Sequence, residues 1–183
     1  MRARLITEIT VDEYLEAEEE AEVRHEYVYG EAFALTGETI THSLAGANVV
    51  RFLANTVGPD CRAYGSSMRL RAEERLFYYP DAMVVCGGPA NDLYEAAPCV
   101  VVEVVSPTTA RQDRLEKRFV YASLKSLHLY LLVDSRRRNV TGYYRNPSGW
   151  EERRFAEGEQ VPVPCVDAAL SFNDLYDNTA LAL

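Results

Sequence analysis

One glutamate interrupts a run of valines in Cys99-Val100-Val101-Val102-Glu103-Val104-Val105. Side chains alternate along a strand, so Glu103 shares a face with Val101 and Val105. A carboxylate placed there is costly to bury unless it is protonated, paired or metal-bound. A salt bridge to a neighbouring arginine would satisfy it without chemistry. However, Glu103 lies towards the C-terminal end of a strand that enters a crossover, where open α/β sheets place their ligand sites. A second acid, Asp81, follows the strand-breaking Pro80 and precedes the apolar run Ala82-Met83-Val84-Val85. Pro-Asp by itself is a common turn dipeptide. Two carboxylates on adjacent strands are different, because they form the oxygen-rich site that Mg²⁺ or Mn²⁺ prefers. Such cations activate water for attack on a phosphodiester. A glycosidase could use the same pair as acid and base, but that reading leaves the next residue, Lys117, without a role.

The chain holds 17 arginines and two lysines, Lys117 and Lys125. An ammonium is a compact point charge that can sit beside a water nucleophile or a developing negative charge. Lys117 stands one helical turn after Asp113 and one before Tyr121, so a surface pair with Asp113 would also account for it. His42 lies near the start of a helix, on the side of Ala45 and Val49, where a capping or core role competes with that of a ligand or base. Glu31 follows Gly30 at the start of a hairpin strand. Arg136-Arg137-Arg138 could meet phosphate or simply form a solvated turn.

The elements that must position these residues are legible. Thr10 and Glu13 form a capping-box pattern that opens an acidic helix reaching about Ala21. His25 to Tyr29 and Glu31 to Leu35, hinged at Gly30, read as a hairpin. A second helix starts near Thr41 or Ser43 and stops at Gly58-Pro59, with Ala45, Val49, Phe52 and Leu53 as its apolar stripe. Short strands are expected at Cys61 to Tyr64, Met68 to Arg71 and Leu76 to Val85, the last broken by Pro80. The Cys99 to Val105 strand, a helix from about Thr109 to Lys125, and the Leu127 to Val133 strand make a parallel crossover. Val140 to Tyr144 and Trp150 to Phe155 read as an antiparallel hairpin, followed by a loop around Pro162 and Pro164. The expected organisation is a single α/β domain over residues 1–183.

Of the 183 residues, 28 are acidic and 19 basic, giving a net charge of −9. Ten acids and one base, Arg24, fall between Glu8 and Glu31, leaving 18 of each sign elsewhere. The acidity is therefore local, and the remainder is balanced rather than broadly basic. Nucleic-acid binding through bulk positive charge is excluded; weak, salt-sensitive binding is not. No apolar run approaches the ~18 residues that would span a bilayer. Cys61, Cys86, Cys99 and Cys165 contain no C-x-x-C pair and are expected to be free thiols in a cytoplasmic protein.

The ordered set of His42, Pro80-Asp81, Glu103-Val104-Val105-Ser106-Pro107-Thr108-Thr109, Asp113, Lys117 and Tyr121 resembles the Uma-two family, a branch of the PD-(D/E)xK nuclease superfamily. The resemblance extends from Val11-Asp12-Glu13-Tyr14-Leu15 through Tyr29-Gly30-Glu31 to Leu131-Leu132-Val133-Asp134. It implies a restriction-endonuclease-like α/β core: a central mixed sheet flanked by helices, with an N-terminal helix plus hairpin and a C-terminal antiparallel hairpin added. It further implies Asp81 and Glu103 as the metal-binding acids for Mg²⁺ or Mn²⁺, with Glu31 and His42 as additional members of the site. The superfamily's usual lysine stands two positions after the second acid, where this chain has Val105; Lys117 resembles a relocated substitute. The expected protein is a cytoplasmic homodimer, not associated with membrane, that cleaves DNA as a metal-dependent endonuclease. The competing expectation is a catalytically inactive nuclease-fold dimer serving as a binding or regulatory module.

Overall fold

The structure is a computed structural model, described here for residues 8–35, 37–89, 91–105 and 116–183. The first helix, α1 (Val11–Glu19), begins as its sequence requires. Thr10 Oγ1 accepts from the Glu13 N–H, and the Glu13 carboxylate accepts from the Thr10 N–H at 2.7 Å. The hairpin follows as β1 (His25–Val28) and β2 (Glu31–Ala34). Tyr29 and Gly30 between them both have positive φ, 48° and 102°, the backbone twist that a two-residue hairpin turn requires. Helix α2 (Ile40–Thr56) is capped by Thr39, slightly ahead of the expected Thr41 or Ser43. Thr39, Thr41 and Ser43 are all competent caps, so local chemistry alone does not choose among them.

The strands β3 (Cys61–Gly65), β4 (Arg69–Glu73), β5 (Leu76–Tyr78), β6 (Ala82–Cys86), β7 (Tyr94–Glu95) and β8 (Pro98–Val105) come next. Then follow α3 (Arg118–Ser123), β9 (Leu129–Asp134), β10 (Val140–Asn146) and β11 (Gly149–Phe155). The expected crossover helix is described only from residue 116 onward; its first part, including Asp113, lies outside the described residues. A six-stranded sheet has the order β11-β10-β9-β8-β6-β3, and β8 pairs parallel with β9 as the crossover predicts. The loop expected around Pro162 is instead a small ribbon, β12 (Gln160–Val163) paired with β13 (Ala168–Ser171). A two-stranded ribbon leaves an outward edge on each strand, so Pro162 need not break a ladder bond. The last helix is α4 (Phe172–Tyr176).

The N-terminal hairpin is no appendage. It joins a second, five-stranded sheet in the order β2-β1-β5-β4-β7, which packs face to face on the six-stranded one. Between them lie Leu70, Leu76 and Tyr78 from the first and Met83, Val101, Val105, Tyr130 and Leu132 from the second. The outer face of the five-stranded sheet is covered by α1 through Tyr14, Tyr27 and Phe77. The outer face of the six-stranded sheet, including Val100, Val102 and Val104, meets α2 and α4. Every residue of β8 is buried because it is covered on both faces; this explains a strand that is apolar throughout except at Glu103. A mixed α/β architecture with sheets flanked by helices matches the expectation from sequence.

The cysteines do not. Cys61 is bonded to Cys86 and Cys99 to Cys165, so the expected free thiols are replaced by two disulfides. Cys61 and Cys86 are register partners on β3 and β6, with Cα atoms 4.0 Å apart. Sheet order creates that adjacency across 25 residues, and no short-range spacing motif announces it. One reason for a reducing, cytoplasmic setting is thereby removed. The Cys99–Cys165 link closes a separation of 66 residues, for which loop-closure entropy gives about 4 kcal/mol. The double variant Cys99→Ser, Cys165→Ser is expected to melt roughly 10 °C lower by calorimetry. An unchanged melting temperature would contradict the cross-link.

Candidate functional site

Glu103 occupies the buried side of β8 that faces the other sheet, 5% exposed. Its neighbour across the layer is Glu26 of β1, 3% exposed. Lys117, immediately before α3, joins them: its Nζ lies 2.9 Å from Glu103 Oε1 and 2.9 Å from Glu26 Oε1. The Tyr121 hydroxyl, one turn further along, donates to the same Glu103 oxygen at 2.9 Å. The Lys117 ammonium also stands 5.1 Å from the centroid of the Tyr78 ring, within reach of a cation–π attraction. Burial, then the charge of Glu103, hold the Tyr121 phenol well above its usual pKa, so it stays protonated and keeps donating to the carboxylate.

Asp81 is set at the point where the β6–β8 ladder ends. Ala82 pairs with Val102, and beyond it Pro80 has no N–H to continue the pairing. Past that point the Asp81 carboxylate caps the partner strand: Oδ2 accepts the Val104 N–H at 2.6 Å. This ties Asp81 to the residue beside Glu103. Its other oxygen, Oδ1, lies 3.0 Å from His42 Nε2. His42 belongs to the first turn of α2, where its N–H donates to the Thr39 cap, and it also approaches Glu38 at 3.5 Å. Glu38, His42 and Asp81 offer ligand atoms that all lie within 4.8 Å of one another. The Asp81 and His42 side chains are only 11% and 12% exposed, whereas Glu38 opens to solvent.

The remaining sequence candidates separate. Glu31 is the register partner of Val28, and cross-strand partners share a face, so Glu31 lies on the Glu26 side of its hairpin and is half-buried. Arg136 and Arg137 donate their backbone N–H groups to Asp134 Oδ1. Arg138 binds the Leu181 carbonyl and Asn173. That run therefore organises a turn and the C-terminal tail. The segment Ser106 to Thr109 lies outside the described residues. Sequence reasoning missed Glu26. Its signal was available: it is the acid two positions before Val28 on a half-buried strand, and so on the same face as an apolar residue.

With two stacked sheets, a carboxylate-bearing crossover strand and a lysine on the following helix, the chain has the fold of nuclease-type α/β proteins. A solved protein from Anabaena variabilis, described as "a putative nuclease belonging to DUF820", superposes with a TM-score of 0.72 at 24% identity, covering 92% of this chain and 97% of that one. A family profile, Uma2, described as "Putative restriction endonuclease", matches residues 11–174, and the chain belongs to that family. Two uncharacterized proteins of Synechocystis sp. are similar in sequence. One is 28% identical over 177 residues, covering 94% of this chain and 93% of its own length. The other is 31% identical over 132 residues, covering 69% and 75%. Among the described residues no helix is long and apolar enough to cross a membrane.

The buried phenol makes an alkaline limit to stability. A raised folded-state pKa contributes stability that is complete below the unfolded tyrosine value near 10 and is lost as pH rises above it. Tyr144, pushed up to about 12 by burial, acts in the same direction. Unfolding free energy is therefore expected to fall between pH 10 and 12. The variant Tyr121→Phe should fall less steeply, by about 1.4 kcal/mol per pH unit for the proton removed. Equal slopes for the two proteins in alkaline urea titrations would contradict the assignment.

Proposed function

We propose that the chain is a metal-dependent endonuclease that hydrolyses DNA phosphodiester bonds, with Asp81 and Glu103 as the metal-holding acids and Lys117 beside them. The observation that carries the reading is the Lys117 ammonium fixed 2.9 Å from the Glu103 carboxylate. It comes from a helix position well removed in sequence from the superfamily's usual lysine. The Glu38, His42 and Asp81 ligand atoms, grouped within 4.8 Å, are donors that suit a hard divalent cation; Glu103 joins them in this reading from the neighbouring strand, since Asp81 is bonded to the Val104 N–H beside it. A Mg²⁺ or Mn²⁺ ion held there would supply Lewis-acid charge that activates water and offsets charge at phosphorus. Glu103 is held by Lys117 and by the Tyr121 hydroxyl, which orient its carboxylate. Asp81 is aimed by the Val104 N–H and by His42. Lys117 supplies positive charge to the attacking oxygen and to the charge that develops in the transition state. Glu31, on the Glu26 side of the hairpin, is a further acid of the site. The reading keeps DNA as substrate and a cytoplasmic homodimer as the working form.

One observation favours a second reading. Lys117 is as buried as the two carboxylates around it, which suits an ion cluster retained to hold a nuclease fold that serves only as a binding or regulatory module. Plasmid relaxation with Mn²⁺ separates the two. Wild type is expected to nick DNA, and Glu103→Gln and Lys117→Met to lose at least about 100-fold in rate. Nicking at the wild-type rate in both variants would overturn the assignment. Melting temperature adds an independent readout. A metal bound only to the native state at a hundredfold excess over Kd contributes about 2.7 kcal/mol, or roughly 5–10 °C for a chain of this size. Absence of both nicking and shift is the result that the binding-module reading predicts.

A further inference from the structure

Arg118 and Phe119 follow Lys117 directly in the chain. With Ala122, Tyr130, Tyr143 and Trp150 they line a cavity of about 280 Å³. The Phe119 side chain at its rim is 78% exposed. The Arg118 guanidinium stands 4.4 Å from the Tyr143 ring centroid and the Arg145 guanidinium 4.5 Å from that of Trp150. Arg145 is anchored by the carbonyls of Leu127, Ala122 and Leu124, which fixes the cation above the Trp150 ring. The cavity thus combines flat apolar walls with the guanidinium of Arg118, while Arg145, outside the lining, holds Trp150 in place with its own N–H groups given to those carbonyls.

A chain of ring contacts links its wall to the carboxylate–lysine cluster. Tyr143 stacks on Tyr130 at 5.9 Å between centroids, and Tyr130 meets Tyr121 edge-on at 5.0 Å. Tyr121 in turn donates to Glu103. A ligand that filled the cavity would therefore lie one row of rings away from Lys117.

Flat apolar walls take any ring with a π face, and a guanidinium group among them takes an anion attached to it. A nucleotide unit has both parts. Base stacking on aromatic side chains tolerates every base, while a cationic border follows the phosphates. An aliphatic chain would make no use of the Arg118 cation in the lining. We propose that this cavity receives an unpaired base of a DNA strand, with the adjoining phosphate at Arg118. The strand acted on at Lys117 is then single-stranded or locally opened. The inference rests on the nuclease reading of the neighbouring cluster and deepens it by specifying the form of the substrate.

Trp150 is the chain's single tryptophan, so its emission reports on this cavity alone. The test titrates the metal-free protein with a thymidine oligonucleotide and, separately, with an abasic deoxyribose-phosphate oligomer of equal length and charge. Saturable quenching by the thymidine strand is expected, with the abasic strand at least about tenfold weaker in affinity. Phe119→Ala, a change at an exposed side chain that should leave melting unaltered, is expected to weaken thymidine binding about tenfold. Equal quenching by both strands, or none by either, overturns the proposal. So does an emission change that follows protein concentration instead of oligonucleotide, because a second copy of the chain would then cover the patch. The two readings fail separately. Manganese-dependent nicking without quenching removes the base site and leaves the nuclease. Quenching without nicking removes the nuclease and leaves the base site.

Discussion

One ammonium held between two carboxylates inside a protein is an expensive arrangement, because each ion gives up water on entering. Lys117 repays that through two contacts of 2.9 Å, to Glu26 and to Glu103. The three residues come from three different parts of the fold: β1 of the five-stranded sheet, β8 of the six-stranded sheet and the cap position immediately before α3. Removing one partner would leave buried charge uncompensated, so the sheets, the helix and the cluster must assemble together. The Tyr121 hydroxyl and the Tyr78 ring complete the surroundings of the charge. The packing around them is largely apolar and aromatic, which lowers the local dielectric and strengthens these contacts; a second polar bridge between the sheets runs from buried Glu95 of β7 to Tyr64 and Arg62 of β3.

The same logic of substitution governs Asp81. The β6–β8 ladder ends at Ala82, and beyond it the Asp81 side-chain carboxylate accepts the Val104 N–H in place of a backbone carbonyl. Placing an acid there also brings it to His42 at the start of α2. A local interruption of pairing thus delivers a second carboxylate next to the strand that carries Glu103. Asp81 sits in the short connection immediately before β6, and Glu103 lies within β8 near its end; both are braced by buried strands, which suits a site whose geometry must not drift.

Much of this was legible in the sequence, for identifiable reasons. Period-two alternation put Glu103 on the face of Val101 and Val105, and that face is the inter-sheet one. The capping box at Thr10, the turn at Gly30 and the apolar stripe of α2 marked their elements to within a residue or two. What stayed hidden were relations between distant segments. Nothing local says that His25–Val28 will be laid against β5, and so Glu26, the second carboxylate on Lys117, escaped notice while Glu31 was favoured. The two disulfides were missed for the same reason: β3 and β6 become neighbours only once the sheet order is known.

The central claim is that the Lys117 ammonium couples the two sheets through Glu26 and Glu103. A double-mutant cycle of Glu26→Gln and Lys117→Met, read by urea unfolding, tests it most directly. Residues in direct contact within one ionic network give coupling energies of about 0.5–3 kcal/mol, whereas independent sites add within about 0.5 kcal/mol. The structure predicts coupling of at least about 1 kcal/mol, the double variant being less destabilised than the sum of the single changes. Strict additivity of the two substitutions would contradict it.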